Sequence, residues 1–178
     1  MTCIVAVKEK GKVHMGCDSI GSDGWRKHGR VQPKLFHNGP LLIGFTDSFR
    51  MGQLLELELS PPKLLPDEDL YRWMVKEFVP KLRDLFKAGG YATKHDDRER
   101  GGTFIVALRG RIFEMYGDYQ VAETDRGYSA VGSGEPFAMG SLFSTRSRPA
   151  KDRLRLALEA AHEMCATVAP PFHFLSEP

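Results

Sequence analysis

Four polar residues in this chain are of the types that acyl-transfer chemistry requires. Thr2 follows Met1 and opens a short apolar run, Thr2-Cys-Ile-Val-Ala-Val7. With Met1 removed, this one residue offers a hydroxyl nucleophile and a free α-amine, whose ordinary pKa is about 8. That amine can take the hydroxyl proton as general base. Asp18 and Lys34 follow at spacings of about sixteen, Asp18 closing Val13-His-Met-Gly-Cys-Asp18 and Lys34 opening the next apolar run. Ser133 sits in Gly132-Ser133-Gly134 at a strand-to-helix junction. The set comprises a nucleophile, a cation, an anion to hold the cation, and a hydroxyl near the amine. Repulsion from a neighbouring lysine lowers an amine's pKa, which leaves it neutral and able to act as a base at about pH 7. Singly, each residue has a plainer reading: Asp18 as a turn residue, Lys34 as a surface lysine, Ser133 as a helix N-cap. Only their combination argues for chemistry.

The elements that must carry these residues follow from periodicity and turn chemistry. Ile4–Val7 and Val13–Gly16 read as strands joined by a tight turn at Gly11, and Lys34–Phe36 with Leu41–Phe45 as a second hairpin around Asn38-Gly39-Pro40. Ser19–Pro33 is polar and Gly-rich, the composition of a surface loop. Asp47 or Ser48 caps a helix running to about Leu59, which Pro61-Pro62 ends. Asp67 opens a longer helix with a sustained 3.6-residue apolar period, closed by Gly89-Gly90 and kinked or split at Pro80. Trp73 falls off the stripe of Leu70, Met74 and Phe78, which predicts a second contact surface on that helix. The charged stretch Thr93–Gly102 reads as a loop or hairpin tip. Strands resume at Thr103–Leu108, Ile112–Tyr116 and Tyr128–Val131. A helix from Gly134 to about Ser144 and another from Lys151 to about Thr167 follow, and Phe172–Leu175 pairs with a strand. Strands, two helices, strands, two helices predict one domain over residues 1–178. It is an α+β fold, a four-layer αββα sandwich with each sheet covered by a helix pair.

Composition bounds the function. A 42% apolar and 27% charged chain of 178 residues is that of a globular protein. A net charge of +2 implies neither a nucleic-acid nor a membrane partner. The basic clusters Arg26–Arg30 and Arg146–Arg148 lack interleaved aromatics and read as solvated loops. Cys3, Cys17 and Cys165 have no metal-ligand spacing and read as small buried hydrophobes in a reducing, cytoplasmic setting. The six histidines lack paired spacing, and no apolar stretch or leader pattern points to membrane or secretion. There is no Walker-type phosphate loop, so ATP hydrolysis would need another protein.

The chain resembles the proteasome-type N-terminal nucleophile (Ntn) hydrolases, and among these the HslV-like threonine peptidase subunits. The resemblance is carried by Thr2–Val7, Gly16-Cys-Asp18, Pro33-Lys34-Leu35, Ile43-Gly-Phe45, Ala130-Val-Gly-Ser-Gly134 and Ala157-Leu-Glu-Ala-Ala161. It implies the αββα sandwich, Thr2 as nucleophile, Asp18 and Lys34 as its electrostatic support, and Ser133 beside the threonine amine. It further implies an oxyanion-binding backbone N–H, which the register puts at Thr46 or a neighbour. A structural monovalent cation on the backbone carbonyls of His162, Cys165 and Val168 is also implied, with no other cofactor required. Residue three departs from the pattern, being Cys where Thr or another small residue is frequent. What the resemblance leads one to expect is a threonine-type endopeptidase in a self-compartmentalising homo-oligomeric ring, acting on peptides or unfolded proteins, with an unfoldase ATPase as a further partner. Two alternatives stay open: an Ntn amidase acting on a small amide, for which Thr93–Gly102 offers a substrate loop, and a catalytically silent ring subunit.

Overall fold

Two positive-φ residues, Lys10 (49°) and Gly11 (82°), turn the chain between β1 (Ile4–Glu9) and β2 (Lys12–Cys17), and Arg109 (50°) with Gly110 (72°) does the same between β9 (Phe104–Leu108) and β10 (Arg111–Met115). Such two-residue turns match the twist of paired strands. The structure, a computed structural model, describes residues 2–22, 25–95 and 98–178, with only the backbone of Lys94 and His95. One sheet has the order β12-β1-β2-β13, where β12 is Tyr128–Val131 and β13 is His173–Ser176. The other has the order β11-β10-β9-β6-β5, where β5 is Leu35–Asn38, β6 is Leu41–Phe45 and β11 is Val121–Glu123. All pairings within them are antiparallel.

Strand alternation sorts the apolar side chains into three layers. Ile4 and Ala6 meet Met15, Leu42, Ile105 and Ala107 between the two sheets. Their neighbours Cys3, Val5 and Val7 face the other way, onto Leu154, Leu158 and Ala161 of the helix Ala150–Met164 and Leu142 of the helix Glu135–Ser144. Ile43, Phe45, Phe104 and Val106 pack under the two central helices with Met51, Leu54, Phe78 and Phe86. Period-two burial on both faces of a strand requires cover on both sides. The result is the expected four-layer αββα sandwich.

Some local expectations are sharpened and others corrected. Ser19–Pro33 is not wholly loop: Ile20–Ser22 (β3) pairs with Lys27–Gly29 (β4) as a two-stranded ribbon. The charged stretch forms a hairpin of Thr93–His95 (β7) and Arg98–Arg100 (β8), its tip at 96–97 lying outside the described residues. The first helix begins at Phe49, with the Ser48 side chain accepting from Arg50 N, and its second half, Leu54–Glu58, is a wide π turn. The second helix starts at Leu70 behind Asp69, whose carboxylate accepts from Arg72 N, two residues later than the sequence predicts. Another π turn, Met74–Phe78, precedes Pro80, so the helix widens over the carbonyl four residues back with which a proline ring collides. Trp73 does not form an outward surface. It is 1% exposed and its indole N–H donates to Lys63 O at 3.2 Å, because in the α-helical segment Leu70–Trp73 it stands three residues after Leu70 and so shares the buried face. The C-terminal helix stops at Met164, short of Thr167, and the freed residues fold back toward Ser133.

Candidate active site

Thr2 stands at the N-terminal end of β1, between β12 and β2, and is 4% exposed. Asp18 is held directly beneath it. Its Oδ1 accepts from Cys3 N (3.0 Å) and its Oδ2 from Ile20 N (3.3 Å), while its own N–H donates to Cys3 O (3.3 Å). The Lys34 ammonium donates to Asp18 Oδ1 at 2.8 Å, and both side chains are almost completely buried. A buried carboxylate–ammonium pair loses hydration that its own attraction only partly restores. The backbone donors to Asp18 supply the remainder, so the lysine is fixed and charged at the wall of a cavity that Thr2 also lines.

Ser133 completes the cluster. Thr2 N donates to Ser133 Oγ at 3.1 Å, and Thr2 O accepts from Gly134 N at 3.2 Å and lies 3.3 Å from Ser133 Oγ. Thus Thr2, Asp18, Lys34 and Ser133, spread over the sequence, converge at one strand end. Met1, whose removal would free the Thr2 amine, lies outside the described residues.

Thr46 does not fit the role of oxyanion donor. Its N–H donates to Thr103 O at 3.1 Å and its hydroxyl to the same oxygen at 2.8 Å, so it continues the ladder between β6 and β9. The neighbour Asp47 is different. It holds φ at 56°, the chain doubles back so that Ser48 N reaches Thr46 O at 2.7 Å, and the Asp47 carboxylate steadies the turn by accepting from Thr103 N at 2.8 Å. The Asp47 N–H takes no partner among the described residues, and Asp47 lines the cavity with Thr2. Positive φ on a non-glycine residue is uncommon and favours Asp or Asn. An aspartate in a Gly44-Phe-Thr-Asp-Ser48 turn was the available signal.

One residue escaped the sequence reading altogether. Thr167 Oγ1 lies 2.8 Å from Ser133 Oγ and 3.2 Å from Cys165 Sγ, forming a line of three polar groups that ends at the Thr2 nitrogen. Nothing local in Cys165-Ala-Thr-Val168 announces that contact. Of the three carbonyls considered for a cation, two each accept one hydrogen bond, which leaves a second lone pair on each oxygen. Cys165 O accepts from Val168 N at 3.1 Å, and Val168 O accepts from His162 Nδ1 at 2.8 Å. Among the described residues no group of His, Cys, Asp and Glu side chains could hold a metal ion.

The cavity beside Thr2 has a volume of about 220 Å³ and is lined by residues of β3, β4, the Phe45–Phe49 turn, and Lys34. The basic segment Arg26–Arg30, read from sequence as a solvated loop, contributes His28 and Arg30 to it. Among the described residues, none of the hairpin Thr93–Arg100 lines it.

No family model matches the chain. It is 26% identical over 174 residues to the ATP-dependent protease subunit HslV of Desulfovibrio desulfuricans, an alignment covering 92% of this chain and 90% of the relative. Among solved structures, Thiobacillus denitrificans BPH in complex with epoxomicin superimposes with a TM-score of 0.79 at 20% identity, over 98% of this chain and 97% of that one. Eukaryotic HslV from Trypanosoma brucei superimposes with a TM-score of 0.69 at 20% identity, over 99% of both chains.

Proposed function

We propose that this chain, HslV-like in sequence and in its proteasome-type Ntn hydrolase fold, is a threonine-type endopeptidase that uses Thr2 once Met1 is removed. The observation that carries the reading is the convergence on the Thr2 nitrogen and cavity of Ser133 Oγ at 3.1 Å and of the buried Lys34–Asp18 pair. The relatives' names, as protease subunits, support the same class of reaction.

The proposed reaction uses only this chain's groups and water. The free amine of Thr2 takes the proton of the Thr2 hydroxyl as Oγ attacks the peptide carbonyl carbon. The lysine charge favours the neutral, basic form of that amine by like-charge repulsion. Ser133 Oγ accepts an amine N–H and so points the nitrogen lone pair at the hydroxyl. The oxyanion that forms is stabilised by Lys34 and by the Asp47 N–H, donors already in place before the charge develops. The C–N bond then breaks, the leaving amine takes the proton from the Thr2 ammonium, and an acyl ester remains on Oγ. Water, deprotonated by the same amine, hydrolyses the ester and restores the threonine. No step passes through a cation. One at the 162–168 turn would share the Val168 carbonyl with the His162 imidazole, and its role would be structural.

Assembly into a ring, feeding by an unfoldase ATPase and a cytoplasmic setting extend this reading. The relatives' names support the first two, assembly by the word subunit and the ATPase by ATP-dependent. Among the described residues no helix is long and apolar enough to cross a membrane. Intact mass after incubation with a peptide epoxyketone tests the core claim. One adduct on the Met1-free protein, absent in Thr2→Ala, is expected. Peptide cleavage at the normal rate by protein with a blocked Thr2 nitrogen would refute the mechanism.

A further inference from the structure

We propose that the cavity beside Thr2 selects an acidic side chain on the residue that carries the scissile carbonyl, and that Arg30 is the cation that reads it. The inference rests on the peptidase reading and concerns the substrate class of that same site. A carbonyl attacked by Thr2 must lie about 3 Å from its hydroxyl. The side chain one bond further along then reaches the cavity that Thr2 lines with Gly21, Arg30, Lys34, Phe45 and Phe49.

The wall of that cavity is a built cationic face. The Arg30 guanidinium stacks on the Phe49 ring with its carbon 4.7 Å from the centroid, and Arg30 N donates to Ser19 O at 3.2 Å. Gly21 makes the stack possible: a Cβ there would come to 3.1 Å from the Phe49 ring and 3.2 Å from Arg30 Nε. Stacking holds the planar fork without consuming its donors. Among the described residues Arg30 has no carboxylate partner.

Arg30 shares the cavity wall with His28, Lys34 and Asp47, the last keeping its negative charge. Lys34 is paired with Asp18, and the Asp47 carboxylate accepts from Thr103 N. Phe45 and Phe49 offer apolar surface to the methylenes of a glutamate, whose carboxylate then meets the guanidinium fork. A substrate lysine would instead face Arg30 with like charge.

The test uses Met1-processed protein and three peptidyl-aminocoumarins differing only in the last residue: Glu, Leu or Lys. The Glu substrate should exceed the Leu substrate in kcat/KM by about tenfold, the scale of one charge-assisted hydrogen bond, and the ratio should fall as salt is added. Arg30→Gln, which keeps a planar group against Phe49, should bring the Glu/Leu ratio toward one, and Arg30→Glu should shift preference to Lys. A wild type that prefers Leu or Lys, or a Glu preference that survives Arg30→Gln, overturns the inference while leaving the peptidase reading intact. Should neither variant fold, the wild-type ratio decides alone, since a preference for Glu insensitive to salt also overturns it. Protein that cleaves none of the three overturns the peptidase reading, and this inference with it.

Discussion

Gly132 presents its bare α-carbon to the carbonyl of Thr2. A methyl group on Gly132 would stand 2.3 Å from that oxygen, and the residue holds φ at 101°. The strand end that carries the nucleophile is therefore located by a glycine on the opposite side of the cluster, immediately before Ser133. Gly132→Ala should cost about a hundredfold in kcat, because displacing a reacting group by about an ångström has effects of that order. Steady-state kinetics with a melting curve checks this. A variant with unchanged kcat would show that Thr2 is positioned without Gly132.

Lys34 and Asp18 should be inseparable in stability but separable in catalysis. Lys34→Ala leaves a buried carboxylate without its counter-ion, a loss of about 3–5 kcal/mol, and should also abolish turnover. Replacing both, as Asp18→Asn with Lys34→Met, should recover much of the stability and none of the activity. Chemical denaturation and peptide cleavage on the three variants measure the two effects. Activity in the double variant would reduce the pair to a structural role.

Thr167 should matter through Ser133. Ser133 has one hydroxyl proton, with Thr2 O at 3.3 Å and Thr167 Oγ1 at 2.8 Å both competing for it. Thr167→Val removes one competitor and should lower kcat by about tenfold with KM little changed, within the range of general-base effects. Thr167→Ser, which keeps the hydroxyl, should restore the rate and the pH profile. A pH profile identical in wild type and Thr167→Val would show that the hydroxyl contact is incidental.

The three thiols should respond differently to alkylation. Burial, reinforced by Asp18, pushes the Cys3 thiol far above the ordinary range, and burial pushes Cys17 up to about 12. Burial also acts upward on Cys165, but hydrogen bonds from Thr167 and Ser133 together outweigh it and the net direction is downward. A lowered thiol pKa puts more thiolate in solution at mildly alkaline pH, whereas the raised thiols stay protonated. Native protein at about pH 8, near the reference thiol value, should therefore take up one iodoacetamide, at Cys165. Peptide mapping locates the adduct, and equal labelling of Cys17 would contradict the burial.

Trp73 belongs to the core, so its replacement should unfold rather than dissociate. Trp73→Ala should cost about 3–5 kcal/mol, the range for deleting a buried aromatic side chain. Denaturation midpoints measured at two protein concentrations separate the outcomes: a midpoint that shifts equally at both indicates a core residue, and a loss seen only on dilution indicates an interface.

The layer architecture was legible in the chain because strand alternation and helix period are local. Ile4 to Val7 alternate between two covered faces, and Leu70 to Phe86 carry the 3.6-residue stripe, whatever lies across from them. Thr2, Asp18, Lys34 and Ser133 were legible as well, since each sits at the end of an apolar run where a strand must stop. Their distances were not, because Thr2 and Ser133 meet only through the β1–β12 pairing, a contact made by register across the sheet. The same holds for Thr46 and Asp47, one residue apart. Which N–H is spent on Thr103 and which is left over depends on the pairing of β6 with β9. Trp73 was misplaced because its i+3 relation to Leu70, which puts both on one helix face, was passed over, and Thr167 was missed because its helix ended early. The sequence by itself determined which groups are available and which faces are apolar. Tertiary structure alone decided which donor faces which acceptor, because hydrogen bonds act over about 3 Å between residues that the chain separates by more than a hundred positions.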